Sequence, residues 1–181
     1  MTLLHNTRWR YYGAFRLKRG DAVMRILFVC THNACRSVLA EVITRALGQG
    51  RLQAASAGSA PSGRIHPLTL HYLERAGYET GGLRSQGMDE LGDFHPDVVI
   101  TVCDSAALEP CPVWLGEAIK VHWGLPDPSH LQGSDKDRER AFVEVMDTIS
   151  KRIEAMLAQP LDQLKPVEVT KLLNSLAHQS A

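Results

Sequence analysis

The segment FVCTHNACRS, residues 28–37, is an apolar run that stops on Cys30 and then reaches Arg36 followed directly by Ser37. That order of residue types suits a tetrahedral oxyanion. A loop passing from a strand into a helix presents unpaired backbone N–H groups and the positive end of the helix dipole, which hold an anion without a charged side chain. Arg36 adds a planar fork matched to two anion oxygens. The same donors stabilise a thiolate, and cysteines at helix N-termini and beside arginine are more acidic than free ones. Cys30 is therefore expected to be a nucleophile at neutral pH, with Ser37 donating a further hydrogen bond to it. A Cys-x5-Arg spacing alone arises by composition; the apolar run before it, the helical pattern after it and Ser37 beside Arg36 make it specific. Taken alone, Cys30 also fits a small apolar filler at a strand end, and Cys35 is read as a filler packed beneath the loop.

The elements that must position these groups follow from periodicity. Residues 25–30 (RILFVC) form a short, β-branched apolar run, as expected of a strand buried on both faces. Val38, Leu39, Val42, Ile43, Ala46 and Leu47 then recur at helical spacing, with Glu41 and Arg45 on the opposite side, until Gly48 and Gly50. A second strand is expected at 51–57, a Pro/Gly-rich loop to Pro67, and a helix over 68–76 closed by Gly77. Residues 96–103 (PDVVITVC) read as another buried strand and 118–123 (AIKVHW) as a weaker one. Phe142, Met146, Ile149, Ile153 and Met156 mark a long amphipathic helix whose stripe belongs to the core. After Pro160 a short helix begins past Pro166. Strands alternating with helices predict an α/β, doubly wound, four-stranded parallel sheet with helices on both faces, its site lying beyond the carboxyl ends of the strands. Cys30 and Cys103 would each end a strand and open onto that same edge.

At 181 residues, the chain suits one domain with appendages. Residues 1–23 form a basic arm, or precede a natural start at Met24; residues 24–160 form the domain, and 161–181 a helical tail. Hydrophobic residues make up 44% and the formal net charge is zero, so no basic excess points to nucleic acid. No apolar stretch reaches the roughly 20 residues that span a bilayer, and no cleavable leader is evident, so the cytoplasm is expected. In a reducing compartment the four cysteines are free, metal-bound or catalytic rather than disulfide-paired. Zinc is disfavoured, because neither the cysteine spacing nor the His66/His71 pair matches its ligand patterns.

ILFVCTHNACRS, together with SAGS at 56–59 and the Asp-Pro at 127–128, resembles the low-molecular-weight protein tyrosine phosphatase superfamily across roughly residues 24–160. Within it, VVITVCDSAALEPCPVW and VHWGLPDPS look like the arsenate reductases. The resemblance implies a loop in which Thr31, His32, Asn33, Ala34, Cys35 and Arg36 wrap the anion by backbone. It also implies that Asn33 and Ser56 brace that loop, and that Asp127 is the acid opposite Cys30. Without the loop, Asp127 before a proline would merely start a turn.

Phosphatase and reductase chemistry share the attack of Cys30 on an oxyanion held by Arg36, with Asp127 protonating the leaving oxygen. They part afterwards. A phosphatase lets water cleave the thiophosphate, whereas a reductase needs a second thiol to attack the sulfur of Cys30. That thiol must come within disulfide range, roughly 5.5–6 Å between α-carbons. Cys103 is the candidate, and Cys111 would then accept the disulfide, passing it to an external reductant. Each has a plainer reading, Cys103 as a buried strand end and Cys111 as a loop residue before Pro112. In phosphatases of this superfamily, aromatic residues that flank a substrate ring follow the Asp-Pro; here Ser129 and His130 follow, which favours a compact inorganic anion. The expectation is an arsenate reductase without a tightly bound cofactor or metal, taking arsenate or phosphate as ligand and thioredoxin or glutaredoxin with glutathione as electron donor. A cysteine phosphatase and a non-catalytic oxyanion sensor are the alternatives.

Overall fold

The computed structural model describes residues 23–108, 116 and 118–178. The basic arm, apart from Val23, and Cys111 lie outside the described residues. β1 (Met24–Cys30) pairs in parallel with β2 (Leu52–Gly58) on one side and with β3 (Val98–Thr101) on the other, and β4 (Ile119–His122) pairs in parallel with β3. The strand order is β2-β1-β3-β4. Ile26, Leu27 and Phe28 are each 0% exposed; consecutive strand residues point to opposite faces, so both faces of β1 are covered. This is the doubly wound α/β architecture expected, with β1 as its axis. The chain leaves β1 in one direction for β2 and returns on the other side as β3. The carboxyl ends of β1 and β3 therefore flank the switch point, where the crevice of such sheets opens.

Helix α1 (Arg36–Leu47) follows β1 after five loop residues, and α2 (Pro67–Arg75) precedes a 3-10 turn at Met88–Leu91. Past β3 comes the short α3 (Asp104–Leu108), and α4 (Asp135–Leu157) and α5 (Pro166–Ala177) complete the chain. The stripe on α4 is buried throughout, at Phe142, Met146, Ile149, Ile153 and Met156, and Tyr72 of α2 stacks on Phe142 with ring centroids 4.5 Å apart. Ser134 caps α4 by accepting from the Asp137 N–H, which explains the sharp start of a helix whose first turn is all polar. Among the described residues no helix is long and apolar enough to cross a membrane.

Three expectations change. β3 ends at Thr101, so Cys103 is not its last residue but lies two positions beyond, where its carbonyl accepts from Ala107 N at 3.2 Å to open α3. The last bond to β1 runs from Val102 N to Val29 O at 2.9 Å, and the chain then turns into α3. Glu41 does not face solvent with Arg45 but is 5% exposed, since this side of α1 packs against β2. The segment after Pro160 is packed into the same core: Leu161, Val169, Leu173 and Leu176 are buried, and Trp123 Nε1 donates to Leu173 O at 2.9 Å.

Candidate active site

The loop Thr31–Cys35 is held by its carbonyls. Cys30 O accepts from Ser59 N at 3.3 Å, Thr31 O from Ala60 N at 2.9 Å, His32 O from Ser62 N at 3.0 Å and Ala34 O from His66 N at 2.9 Å. A planar trans peptide points its N–H away from its C=O. Tying the carbonyls to the 59–66 segment therefore turns the N–H groups of Thr31, His32, Asn33 and Cys35 toward the opposite side, forming a concave nest of donors. Helix α1 continues the nest, since Cys35 at its N-cap supplies no side-chain cap.

Cys30 sits at the base of this nest, 4% exposed. Its Sγ accepts from Asn33 N at 3.2 Å and lies 3.0 Å from Ser37 Oγ. Asn33 adopts a left-handed φ of 46°, which asparagine tolerates better than most residues. Its Nδ2 donates to Ser37 Oγ at 2.9 Å and to Ser56 Oγ at 2.8 Å, while its Oδ1 accepts from Gln86 N at 2.8 Å. Ser56 in turn donates to Glu41 Oε2 at 2.5 Å. The direction of each bond is set by its neighbour. Because Ser56 gives its proton to Glu41 and accepts from Asn33, and because Ser37 accepts from Asn33, the Ser37 hydroxyl proton is left to donate to the Cys30 sulfur. Burial pushes Glu41 above the ordinary glutamate range, opposed by Ser56 and by the Arg45 charge. The Arg45–Glu41 contact of 2.5 Å argues for an ionised pair, but Arg45 is half exposed and its attraction is screened by solvent, so burial prevails.

Arg36, the first residue of α1, lies with Nη2 3.0 Å from Asp127 Oδ2 and donates from Nη1 to Leu125 O at 3.2 Å. Asp127 Oδ1 accepts from Ser129 N at 3.0 Å and from Ser129 Oγ at 2.6 Å. Burial alone raises this carboxyl, but the Ser129 bonds and Arg36 outweigh it and hold Asp127 below the usual carboxylate range. Cys35 lies near Asp127, Ser129 and Arg36 but is buried too deeply to ionise. It is 4% exposed, and burial pushes its thiol up to about 12 despite a hydrogen bond from Thr69, so it stays protonated and inert. Cys103, 3% exposed, lies with its Sγ 3.5 Å from Oγ1 of Thr31, the residue after Cys30.

The structure thus brings Cys30, Asn33, Arg36, Ser37, Ser56 and Asp127 into one cluster, with Cys103 at its border. His32 and Ala34 contribute backbone; the His32 side chain is exposed. Glu41, Gln86 and Ser129 were missed as site residues. For Glu41 the available signal was a carboxylate between Ala40 and Val42 on the buried helix, near the small polar Ser56. Gln86 left none, because its role rests on a backbone N–H reaching Asn33 from a distant loop. Among the described residues, no group of three His, Cys, Asp or Glu is arranged to hold a metal.

Comparison with known proteins places this site in context. Residues 25–167 match the sequence model of the low molecular weight phosphotyrosine protein phosphatases. A glutaredoxin arsenate reductase of Synechocystis sp. is 30% identical over 135 residues, covering 75% of this chain and 97% of its own. A solved arsenate reductase in the phosphate binding state superposes with a TM-score of 0.61 at 29% identity, over 75% of this chain and 98% of its own. A thioredoxin-dependent arsenate reductase of Corynebacterium glutamicum superposes with a TM-score of 0.56 at 27% identity, over 76% of this chain and 61% of its own. With the strand–loop–helix nest around Cys30 and a family match running from β1 into α5, the chain belongs to the low molecular weight phosphotyrosine protein phosphatase family.

Proposed function

We propose that this protein is an arsenate reductase. The observation that carries the reading is the second thiol: Cys103 sits buried against Thr31, beside the anion nest, and hydrolysis does not require one. Cys30, as thiolate, attacks arsenic in an arsenate held by the loop N–H groups and Arg36, and Asp127 gives a proton to the leaving oxygen, which departs as water. Cys103 then attacks the sulfur of Cys30. The S–As bond breaks with its electron pair passing to arsenic, so As(V) becomes As(III), arsenite leaves, and the two thiols are oxidised to a Cys30–Cys103 disulfide. Attack by Cys111 on Cys103 moves the disulfide away from the nest and frees Cys30. Thioredoxin, or glutaredoxin with glutathione, supplies the two electrons that reduce it; the names of the relatives support both classes of donor. Cys30, Cys35 and Cys103 are free thiols, which suits work in the cytoplasm.

The family match and the shared first half of the chemistry favour one other reading, a cysteine phosphatase. Replacing Cys103 by Ser separates the two. Arsenite release should cease while slow hydrolysis of an aryl phosphate persists; equal loss of both activities would contradict the division of labour. Repeating the arsenite assay with each reductant on Cys111→Ser shows where the relay ends, and turnover retained with glutathione and glutaredoxin would stop it at Cys103. Tight arsenate binding without turnover under any thiol donor would mark a sensor.

A further inference from the structure

The guanidinium that should receive the anion already has a partner. Arg36 Nη2 lies 3.0 Å from Asp127 Oδ2, with side-chain exposures of only 20% and 22%. Asp127 Oδ1 is committed to both hydrogen bonds from Ser129, so Oδ2 is the atom that must exchange partners when a ligand arrives. An anion oxygen that replaces Oδ2 on Arg36 is left beside a carboxylate oxygen. Two negative oxygens at that range do not stay ionised together; one of them takes a proton.

We propose that Asp127 determines which ionic form of an oxyanion the site accepts, because each anion that displaces it from Arg36 must bind together with one proton. Arsenate and phosphate can bring that proton themselves: their singly charged forms keep one hydroxyl and pass a second proton to Oδ2, the proton that Asp127 returns to the leaving oxygen. Sulfate carries none near neutral pH, so Oδ2 must take one from water. The inference rests on reading the loop as an anion trap and adds a selection rule to it. Asp127 in the empty site lies below the usual carboxylate range and is ionised at neutral pH, so the cost to sulfate is present there. The titratable groups around it are Arg36 at the start of α1, His130 in its own turn, and Cys35 and Cys30 in the loop. Arg36 and His130 favour the carboxylate and Cys35 stays neutral. Cys30 and His130 are thus the other groups able to take the proton, and Asp127→Asn, which leaves both in place, distinguishes them from Asp127.

Titration calorimetry of the reduced full-length protein with sodium sulfate tests this, in two buffers of different ionisation enthalpy between about pH 6 and about pH 8. Wild type should lose affinity by about tenfold per pH unit and take up close to one proton. Cys30→Ser should keep the slope and the proton uptake, whatever its affinity. Asp127→Asn keeps an oxygen for Ser129 and releases Arg36; it should bind sulfate more tightly than wild type at the upper end of the range, with a flat profile and no proton uptake. A flat profile in wild type overturns the proposal without reference to any variant, as does a slope that survives in Asp127→Asn or disappears in Cys30→Ser. Failure of all three proteins to bind either sulfate or inorganic phosphate would instead sink the anion trap itself.

Discussion

At the scale of single residues, the buried chain Glu41–Ser56–Asn33–Ser37–Cys30 settles how the nucleophile is presented. Its far end carries a measurable pH signature. Burial raises the pKa of Glu41 in the folded state above its unfolded value, so the unfolded chain gives up this proton first as pH rises. Folding stability from this group is full below the ordinary glutamate range, about 4.3, and declines as pH rises through the raised folded value. Glu41→Gln removes that decline. Its urea midpoint should gain on wild type between about pH 4 and about pH 7; losing ground over that interval would show that Ser56 and Arg45 outweigh burial. Gln still accepts from Ser56, so the orientation of Asn33 and the reactivity of Cys30 should persist.

At the scale of elements, the nest depends on how closely β2 approaches the loop. A Cβ at Gly58 would stand 2.6 Å from Thr31 O and 3.1 Å from both Cβ and N of Asn33. These obstacles are mainly backbone and cannot swing aside. Gly58 N also donates to Gln86 O at 2.9 Å, which fastens the residue whose own N–H orients Asn33. Gly58→Ala should therefore cost about 1–3 kcal/mol, as overpacking does. Alkylation of Cys30 by iodoacetamide near neutral pH should slow with it. Normal alkylation in a folded variant would show that the loop tolerates displacement. The same closeness explains why α1 starts at Arg36 and not later: five loop residues leave no slack between the end of β1 and the helix.

At the scale of the whole molecule, α5 decides whether the chain is one cooperative unit or a domain with a loose extension. Leu173 is 0% exposed, and its carbonyl receives the Trp123 indole N–H beside β4. Arg152 of α4 lies over the Trp123 ring at 5.4 Å and donates to Ala177 O at 2.9 Å. Trp123 leads through Gly124 into the turn that carries Asp127, so α5 buttresses the segment that holds the acid. Leu173→Ala should lower stability by about 2–5 kcal/mol, a large share of the roughly 5–15 kcal/mol of a typical domain. The loss should appear in a single unfolding transition monitored by Trp fluorescence and by circular dichroism. A main transition left in place, with a separate early loss of helix, would make α5 an independent appendage.

Residues 28–37 could be read without a structure because the strand, the loop and the first helical turn are contiguous, although it is the bonds from residues 59–66 that turn the loop N–H groups inward. The run of apolar strands likewise sufficed for the doubly wound sheet and for Cys30 and Cys103 sharing an edge. What the sequence did not reveal is which distant groups meet. Glu41 looked solvent-facing because a 3.6-residue period separates faces without saying what packs on them, and β2 placed Ser56 against the polar side. Gln86 acts through its backbone N–H, which every residue type but proline carries. Cys103 passed for the end of a strand because the apolar run continues past Thr101, the last paired residue, without marking it. Chain order alone determined the chemistry available at Cys30 and Arg36. Tertiary packing decided what orients and restrains them, since Asn33, Ser56, Gln86, Cys103 and Asp127 are brought together from separate segments by the sheet and by the loops that wrap it.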